Sequence, residues 1–302
     1  MQLIKKDVYP SPEGNVWKYV YEFENAIVEA VLYKYESFEK RTVICFSVQS
    51  GCRVACRFCG TGSKFIRNLT SEEIIYQVSD IIRDVEYIGN INTSLNSRCE
   101  KLQLMGMSMG EPLMNFDEVE VAIKGLNNLY PNASLLLSTI GVNNNNVLNR
   151  LCELSEEIDK VGLQFSIHQA YDEKRNELIP FKNKLTLREI RDYGTYWNSI
   201  TNRPVYLNYC IDGTNISDGE INRLKDLFPP TVFNFTFSVI CSADETMKDA
   251  GYRNLDVINE VMTNFIDDGY NVRVFDPAGQ DSVGAGCGQL VHVQRYMKNH
   301  KK

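Results

Sequence analysis

The chain has 302 residues, 43% of them hydrophobic and 24% charged, and its 32 Lys and Arg against 39 Asp and Glu leave a formal net charge of −7. That apolar share excludes wholesale disorder, and no run approaches the roughly 18 apolar residues of a membrane span. The start, MQLIKKDVYPSPEGN, lacks the long apolar stretch and cleavage site of a signal peptide, so the expectation is a cytoplasmic protein with no membrane attachment. An acidic balance also argues against broad nonspecific nucleic-acid binding, which relies on Lys and Arg neutralising phosphates; a local basic face remains open.

Residues 16–35 read as two strand-like runs, VWKYVYEF and IVEAVLYKY, separated by a short turn at Glu24, Asn25 and Ala26, which predicts a hairpin. From Thr42 onward, strand and helix patterns alternate. TVICFSV (42–48) is followed, after a cysteine-rich loop, by SEEIIYQVSDIIRDV, whose apolar residues fall at helical spacing behind a Thr70–Glu73 capping box. Strands follow at 102–107, 134–141, 161–168, 206–211, 232–240 and 271–275. Helices are expected around 117–129, 146–157, after the Thr186–Glu189 capping box, and near 218–228 and 254–267. Six strand-then-helix units plus an edge strand predict an α/β fold with a parallel sheet, a partial (βα)6 TIM-like barrel rather than a closed eightfold one. Residues 1–41 form an N-terminal extension with the β-hairpin, 42–291 the core domain, and 292–302 a basic tail carrying Arg295, Lys298, Lys301 and Lys302, read as a solvated terminus. In such sheets, residues at or just after strand C-termini are the functional candidates.

Nine cysteines is an odd number in a chain too long to need disulfide staples, which fits a reduced compartment with metal-binding or catalytic thiols. Cys52, Cys56 and Cys59 stand in GCRVACRFCG, a C-x3-C-x2-C pattern directly after the first barrel strand. Three thiolates on one tight loop can hold three irons of a 4Fe-4S cubane and leave the fourth iron open for a non-protein ligand. Structural zinc sites want four ligands, usually as two C-x2-C pairs, and no second pair is visible. Arg53 and Arg57, with the flanking glycines, also fit an exposed loop better than a buried core.

This spacing, with Phe58 just before the last cysteine, resembles the signature of the radical S-adenosylmethionine (SAM) superfamily. The resemblance implies that the open iron chelates SAM and that an electron from the cluster cleaves it to a 5′-deoxyadenosyl radical. Further stretches resemble one branch, the RlmN/Cfr-type RNA adenosine methyltransferases: VICFSVQSGCRVACRFC (43–59), RNL (67–69), MGMSMGEPLMN (105–115), LSTIGV (137–142), FSIHQAYDEKRNELIP (165–180) and GAGCGQL (284–290). They run in the family's order over nearly the whole chain. The resemblance implies a methyl group placed on C2 or C8 of adenine in rRNA or tRNA, with two SAM per turnover. Cys287 matches the cysteine that is methylated by one SAM. Cys45 matches the second catalytic cysteine, which would form a transient disulfide with Cys287 as product leaves, and Glu29 matches the family's proton acceptor. Gly110, Glu111, Ser138, Ser166 and His168 match SAM-contacting positions. A one-electron donor such as flavodoxin or ferredoxin and a monomeric enzyme are also expected. From the residue pattern alone, Cys45 reads as core and Glu29 as an alternating polar position on a strand. Cys99, Cys152, Cys210 and Cys241 have no motif and are read as structural.

The chain departs from the family pattern in three places. MGMSMGEP is two residues longer than the family's MGMGEP. In NFTFSV, Asn234 matches the first asparagine of the family's N-x2-P-x-N, while Val239 stands at the second, a SAM contact. Only 44 residues precede Cys45, so the family's N-terminal helical domain is expected to be lacking. Two other functions fit fewer residues: the same machinery acting on a nucleotide or other small molecule, and an iron–sulfur electron carrier, which would need neither an open iron nor Cys45 and Cys287.

Overall fold

The computed structural model describes residues 2–62, 64–91, 93–239, 254–286 and 288–299. Cys241 and Cys287 therefore lie outside the described residues. The chain opens with three antiparallel strands, β1 (Leu3–Pro10), β2 (Val16–Phe23) and β3 (Ala26–Tyr35), followed by β4 (Arg41–Phe46) and a small ribbon of β5 (Gln49–Gly51) and β6 (Phe65–Asn68). Next come α1 (Ser71–Ile88), α2 (Leu95–Arg98), β7 (Lys101–Gly106), α3 (Phe116–Leu129), β8 (Ser134–Thr139), α4 (Asn145–Glu157) and β9 (Val161–Ser166). The rest comprises α5 (Asp172–Leu178), α6 (Leu187–Thr201), β10 (Val205–Ile211), α7 (Asp218–Leu227), β11 (Phe233–Val239), α8 (Leu255–Asp267), β12 (Val272–Phe275) and α9 (His292–Asn299).

One ten-stranded sheet runs in the order β1-β2-β3-β4-β7-β8-β9-β10-β11-β12. From β4 to β12 every neighbouring pair is parallel, as the strand–helix alternation predicts. The sheet curls: β3 and β12 face one another, with the Tyr33 and Phe275 rings 5.4 Å apart in a T-shaped contact. Among the described residues no strand pairing joins β12 to β3 or β4, so the barrel is partial.

Period-2 alternation gives the strands two chemically different faces. Outward residues such as Ile44, Leu104, Leu137, Leu163, Leu207 and Phe235 are fully buried and belong to the core beneath the helices. The inward face is mixed instead: beside Val43, Met105 and Leu136, the polar residues Gln103, Gln164, Asn208, Thr236 and Ser238 are buried there. They satisfy one another, with Gln164 donating to Ser138 Oγ at 3.0 Å and Ser238 donating to Asn208 Oδ1 at 2.8 Å. Buried polar side chains in a barrel lumen mark a place for a ligand, because a wholly apolar filling would cost less to bury.

The helices begin where capping chemistry predicts. Thr70 with Glu73 and Thr186 with Glu189 both close capping boxes, and Ser217 with Glu220 makes a third. Besides the short α2, α5 and the β5–β6 ribbon, which the sequence reading does not include, β1 and the tail differ from the expectation. β1 extends the predicted hairpin to three strands; its faces are mostly exposed, so it leaves no apolar period to read. The basic tail is not a bare terminus, since 292–299 form α9, which packs against β3.

Candidate active site

The cysteine loop lies between β5 and β6 at the C-terminal end of β4. Its turns are set by close backbone approach: Gly51 has φ +80°, and a Cβ there would lie 1.8 Å from the Lys64 carbonyl oxygen. Cys52 N–H donates to Lys64 O at 2.7 Å, and Cys59 N–H donates to Cys56 O at 3.1 Å. The loop is also tied to the C-terminal segment, through Gly60 N–H to Gly288 O at 2.7 Å and Thr61 Oγ1 to Leu290 O at 3.0 Å.

Cys52, Cys56 and Cys59 line a cavity of about 170 Å³ at the top of the barrel. Cys45, Phe58, Gly110, Glu111, Ser138, Ser166 and His168 line the same cavity. Residues far apart in the chain are thus gathered at the strand ends. Cys45 points inward from β4 in one column with Arg41 and Val43. Burial pushes its thiol up to about 12.

Glu111 is buried and held on both oxygens, accepting from Thr139 Oγ1 at 2.5 Å, Leu113 N–H at 3.0 Å and Ile140 N–H at 2.9 Å. Burial raises its pKa to about 7 against the opposing pull of these hydrogen bonds. Behind it, the fully buried Arg175 donates to Ile140 O at 2.6 Å and Leu185 O at 2.7 Å, which fixes the turn that supplies the Ile140 N–H. The longer MGMSMGEP loop is accommodated by β5: Met109 O accepts from Val48 N–H at 2.8 Å, and Gln49 Oε1 accepts from Glu111 N–H at 2.9 Å. Gly110, at φ +97°, passes so close to Gln49 that a Cβ would lie 2.6 Å from the Gln49 Cβ. His168 sits in the left-handed region at φ +59°. Its Nδ1 accepts from Cys210 N–H at 3.2 Å, which leaves the proton on Nε2, and its ring meets Phe58 edge-on at 5.1 Å. Burial, with the Arg175 charge adding, lowers its pKa to about 3, so the ring is neutral.

Glu29 is not among the residues lining this cavity. Its fully buried carboxylate accepts from His292 N–H at 2.9 Å, lies 2.9 Å from His292 Nδ1 and pairs with Lys18 Nζ at 3.4 Å. Lys18 in turn reaches Gly284 O at 3.4 Å, and Tyr33 Oη donates to Ala285 O at 2.9 Å. The N-terminal strands therefore clasp both ends of the segment around Cys287. Gly286 and Gly288 on either side of that cysteine line the cavity.

The comparisons agree on one family. No family model matches the chain. A probable dual-specificity RNA methyltransferase RlmN from Dictyoglomus turgidum (strain DSM 6724 / Z-1310) is 30% identical over 308 residues, covering 98% of this chain and 81% of the relative. One of the same name from Clostridium novyi (strain NT) is 28% identical, covering 99% and 81%. The chain belongs to the RlmN family of RNA methyltransferases. Among solved structures, a radical SAM methyltransferase from Sphaerobacter thermophilus matches with a TM-score of 0.79 and 25% identity, covering 96% of this chain and 80% of that one. Membership makes the chain a methyltransferase of the radical SAM type and implies SAM and a 4Fe-4S cluster.

The residues present fit that cluster. Three cysteine thiols on one loop are the donor type it takes, although among the described residues no three His, Cys, Asp or Glu side chains are grouped closely enough to hold a metal ion. All three loop thiols line one cavity, and three thiolates are the donor set that leaves one iron of a cubane open. A disulfide is not supported as a feature of the resting fold: among the described residues Cys45 and six other cysteines are free thiols. Sequence reading missed Asn208, Ser238, Thr139 and Tyr33, all of which line the site. Their signal is the polar member of an otherwise apolar strand, visible only once the inward face is known. Among the described residues no helix is long and apolar enough to cross a membrane.

Proposed function

We propose that this enzyme methylates a ring carbon of adenine, C2 or C8, in rRNA or tRNA through an S-methylcysteine at Cys287. The observation that carries the reading is Cys45, a thiol in an apolar strand that faces the same cavity as Cys52, Cys56 and Cys59, with Gly286 and Gly288 at its wall. An amidine carbon is not nucleophilic, so a thiol must act as carrier and leaving group. When bound, the cluster and SAM supply a one-electron reductant, a methyl donor and a primary carbon radical.

Cys52, Cys56 and Cys59 would hold three irons and leave the fourth for SAM. Gly110, Glu111, Ser138, Ser166 and His168 would orient SAM; Ser238, hydrogen-bonded to Asn208, stands in the cavity near the position where the family has its second asparagine. The Cys287 thiolate takes the methyl by displacement at carbon. After loss of one hydrogen atom, its methylene carbon bonds to the adenine carbon. The adduct then loses one electron, returned to the oxidised cluster, and one proton. Cys45 gives up its own proton as its sulfur attacks that of Cys287, the Cys287 S–C bond breaks, and the product carbon takes a proton to become the methyl group. The S–S bond formed in this step is opened by a dithiol reductant before the next turnover. A flavodoxin- or ferredoxin-type donor would supply the electron, and the enzyme would act as a monomer in the cytoplasm. Glu29, held by Lys18 and His292 beside the Cys287 segment, would accept the proton that the adduct loses.

Anaerobic reconstitution with SAM, reductant and RNA tests this. The wild type is expected to release 5′-deoxyadenosine and methylated adenosine, while Cys287→Ala loads its cluster and transfers no methyl. Methylation by Cys287→Ala would overturn the mechanism.

A further inference from the structure

Below the active-site cavity the lumen continues to the N-terminal mouth of the barrel as a second space of about 520 Å³. Both spaces are lined by Met107, Asn208, Ser238 and Phe275, so these four side chains form the boundary at which the lower space meets the cavity that holds Cys45. The rim of the mouth is cationic. Arg41 and Lys101, first residues of the paired strands β4 and β7, lie side by side in register, and Arg273 joins them across the seam from β12. Lys101 is exposed at the rim, its pKa lowered by partial desolvation and then by the charges of Arg41 and Arg273, with no carboxylate among the groups acting on it. Among the described residues the one acid lining this space, Asp159, acts on Arg203.

The two guanidiniums are braced rather than neutralised. Arg41 lies 4.3 Å over the Tyr35 ring and donates to Gln103 Oε1 at 3.0 Å, and Arg273 lies 4.4 Å over the Tyr206 ring. Three mutually repelling cations gathered without a carboxylate partner among the described residues cost stability unless an anion joins them. Cations interleaved with aromatic rings along a groove are the arrangement that tracks a single-stranded nucleic-acid backbone.

We propose that Arg41, Lys101 and Arg273 form a phosphate-binding rim through which a single-stranded segment of the RNA substrate enters the barrel from its N-terminal mouth, directing the target base up the polar lumen. The inference rests on the RNA reading above and adds the route and the residues that hold the backbone. It also reconciles a net charge of −7 with an anionic substrate, because the cations are concentrated where the lumen opens.

The test is fluorescence anisotropy of a short labelled single-stranded oligoribonucleotide against the cluster-loaded, full-length enzyme over a range of salt concentrations. Lys101→Gln and Arg273→Gln are expected to weaken binding several-fold each and to lower the slope of log affinity against log salt by about 0.7 for each phosphate no longer neutralised. Lys101→Arg is expected to keep the wild-type slope. Lys101→Met, which keeps the length of the side chain, separates the effect of charge from that of hydrogen bonding and should match Lys101→Gln. Tight binding by the wild type with unchanged affinity and slope in the Lys101→Gln/Arg273→Gln double variant would overturn the rim and leave the substrate reading standing. No RNA binding by the wild type would overturn both.

Discussion

At the scale of single residues, the site separates groups that must be charged from groups that must not. His168 is neutral because it is buried beside Arg175, and this has a signed consequence. Its folded pKa, about 3, lies below the ordinary value of 6.5, so between those pH values the unfolded chain binds the extra proton and stability falls as pH falls. Urea titrations of wild type and His168→Gln should show the wild type losing stability relative to the variant from about pH 6.5 downward; parallel curves would contradict the assignment. Cys45 makes a different prediction. It is buried and unpaired, and in the proposed reaction it acts only after the adduct forms. Cys45→Ala should still produce 5′-deoxyadenosine and should trap protein covalently joined to RNA, seen as a shifted band on a denaturing gel. Cys52→Ala should fail earlier, with loss of iron and of the cluster's visible absorbance.

At the scale of elements, the clasp formed by β2, β3 and the start of α9 ties the chain's two ends together. The Lys18–Glu29 pair is almost wholly buried, and removing one member of such a pair strands the other charge at a cost of about 3–5 kcal/mol. Glu29→Ala or Lys18→Met should lower the unfolding free energy by about that amount, and Lys18→Met/Glu29→Leu by much less; equal losses would mean the pair's charges are not the cause. This element also shows what the amino-acid sequence makes legible. The parallel strands, their helices and the capping boxes at Thr70 and Thr186 could be read because local chemistry repeats there: period 2, period 3.6, and a hydroxyl three residues before a carboxylate. β1 and α9 could not, because each is stabilised by what it packs against rather than by its own pattern. Likewise Cys52, Cys56 and Cys59 are adjacent in sequence and readable as a set. The placement of Cys45 at the same cavity depends on the curl of the sheet, and the engagement of Glu29 with His292 depends on an approach between residues 263 positions apart.

At the scale of the whole molecule, alternation along the strands does two jobs at once. Outward apolar residues bury the helices, and inward polar ones build a lumen that runs from the cationic mouth to the thiols. On the proposed route the chemistry is reached through the interior of the fold, and an overall negative charge is then no obstacle to an anionic substrate. The central claim is that this lumen delivers an adenine to a thiol that carries a methyl group. Its most direct test is mass analysis of nucleosides from RNA incubated anaerobically with the reconstituted enzyme, reductant and SAM bearing a trideuterated methyl group. The expected product is adenosine methylated on a ring carbon and carrying two deuteriums in that methyl, because one is abstracted while the group rides on Cys287. A methyl arriving with all three deuteriums would contradict it.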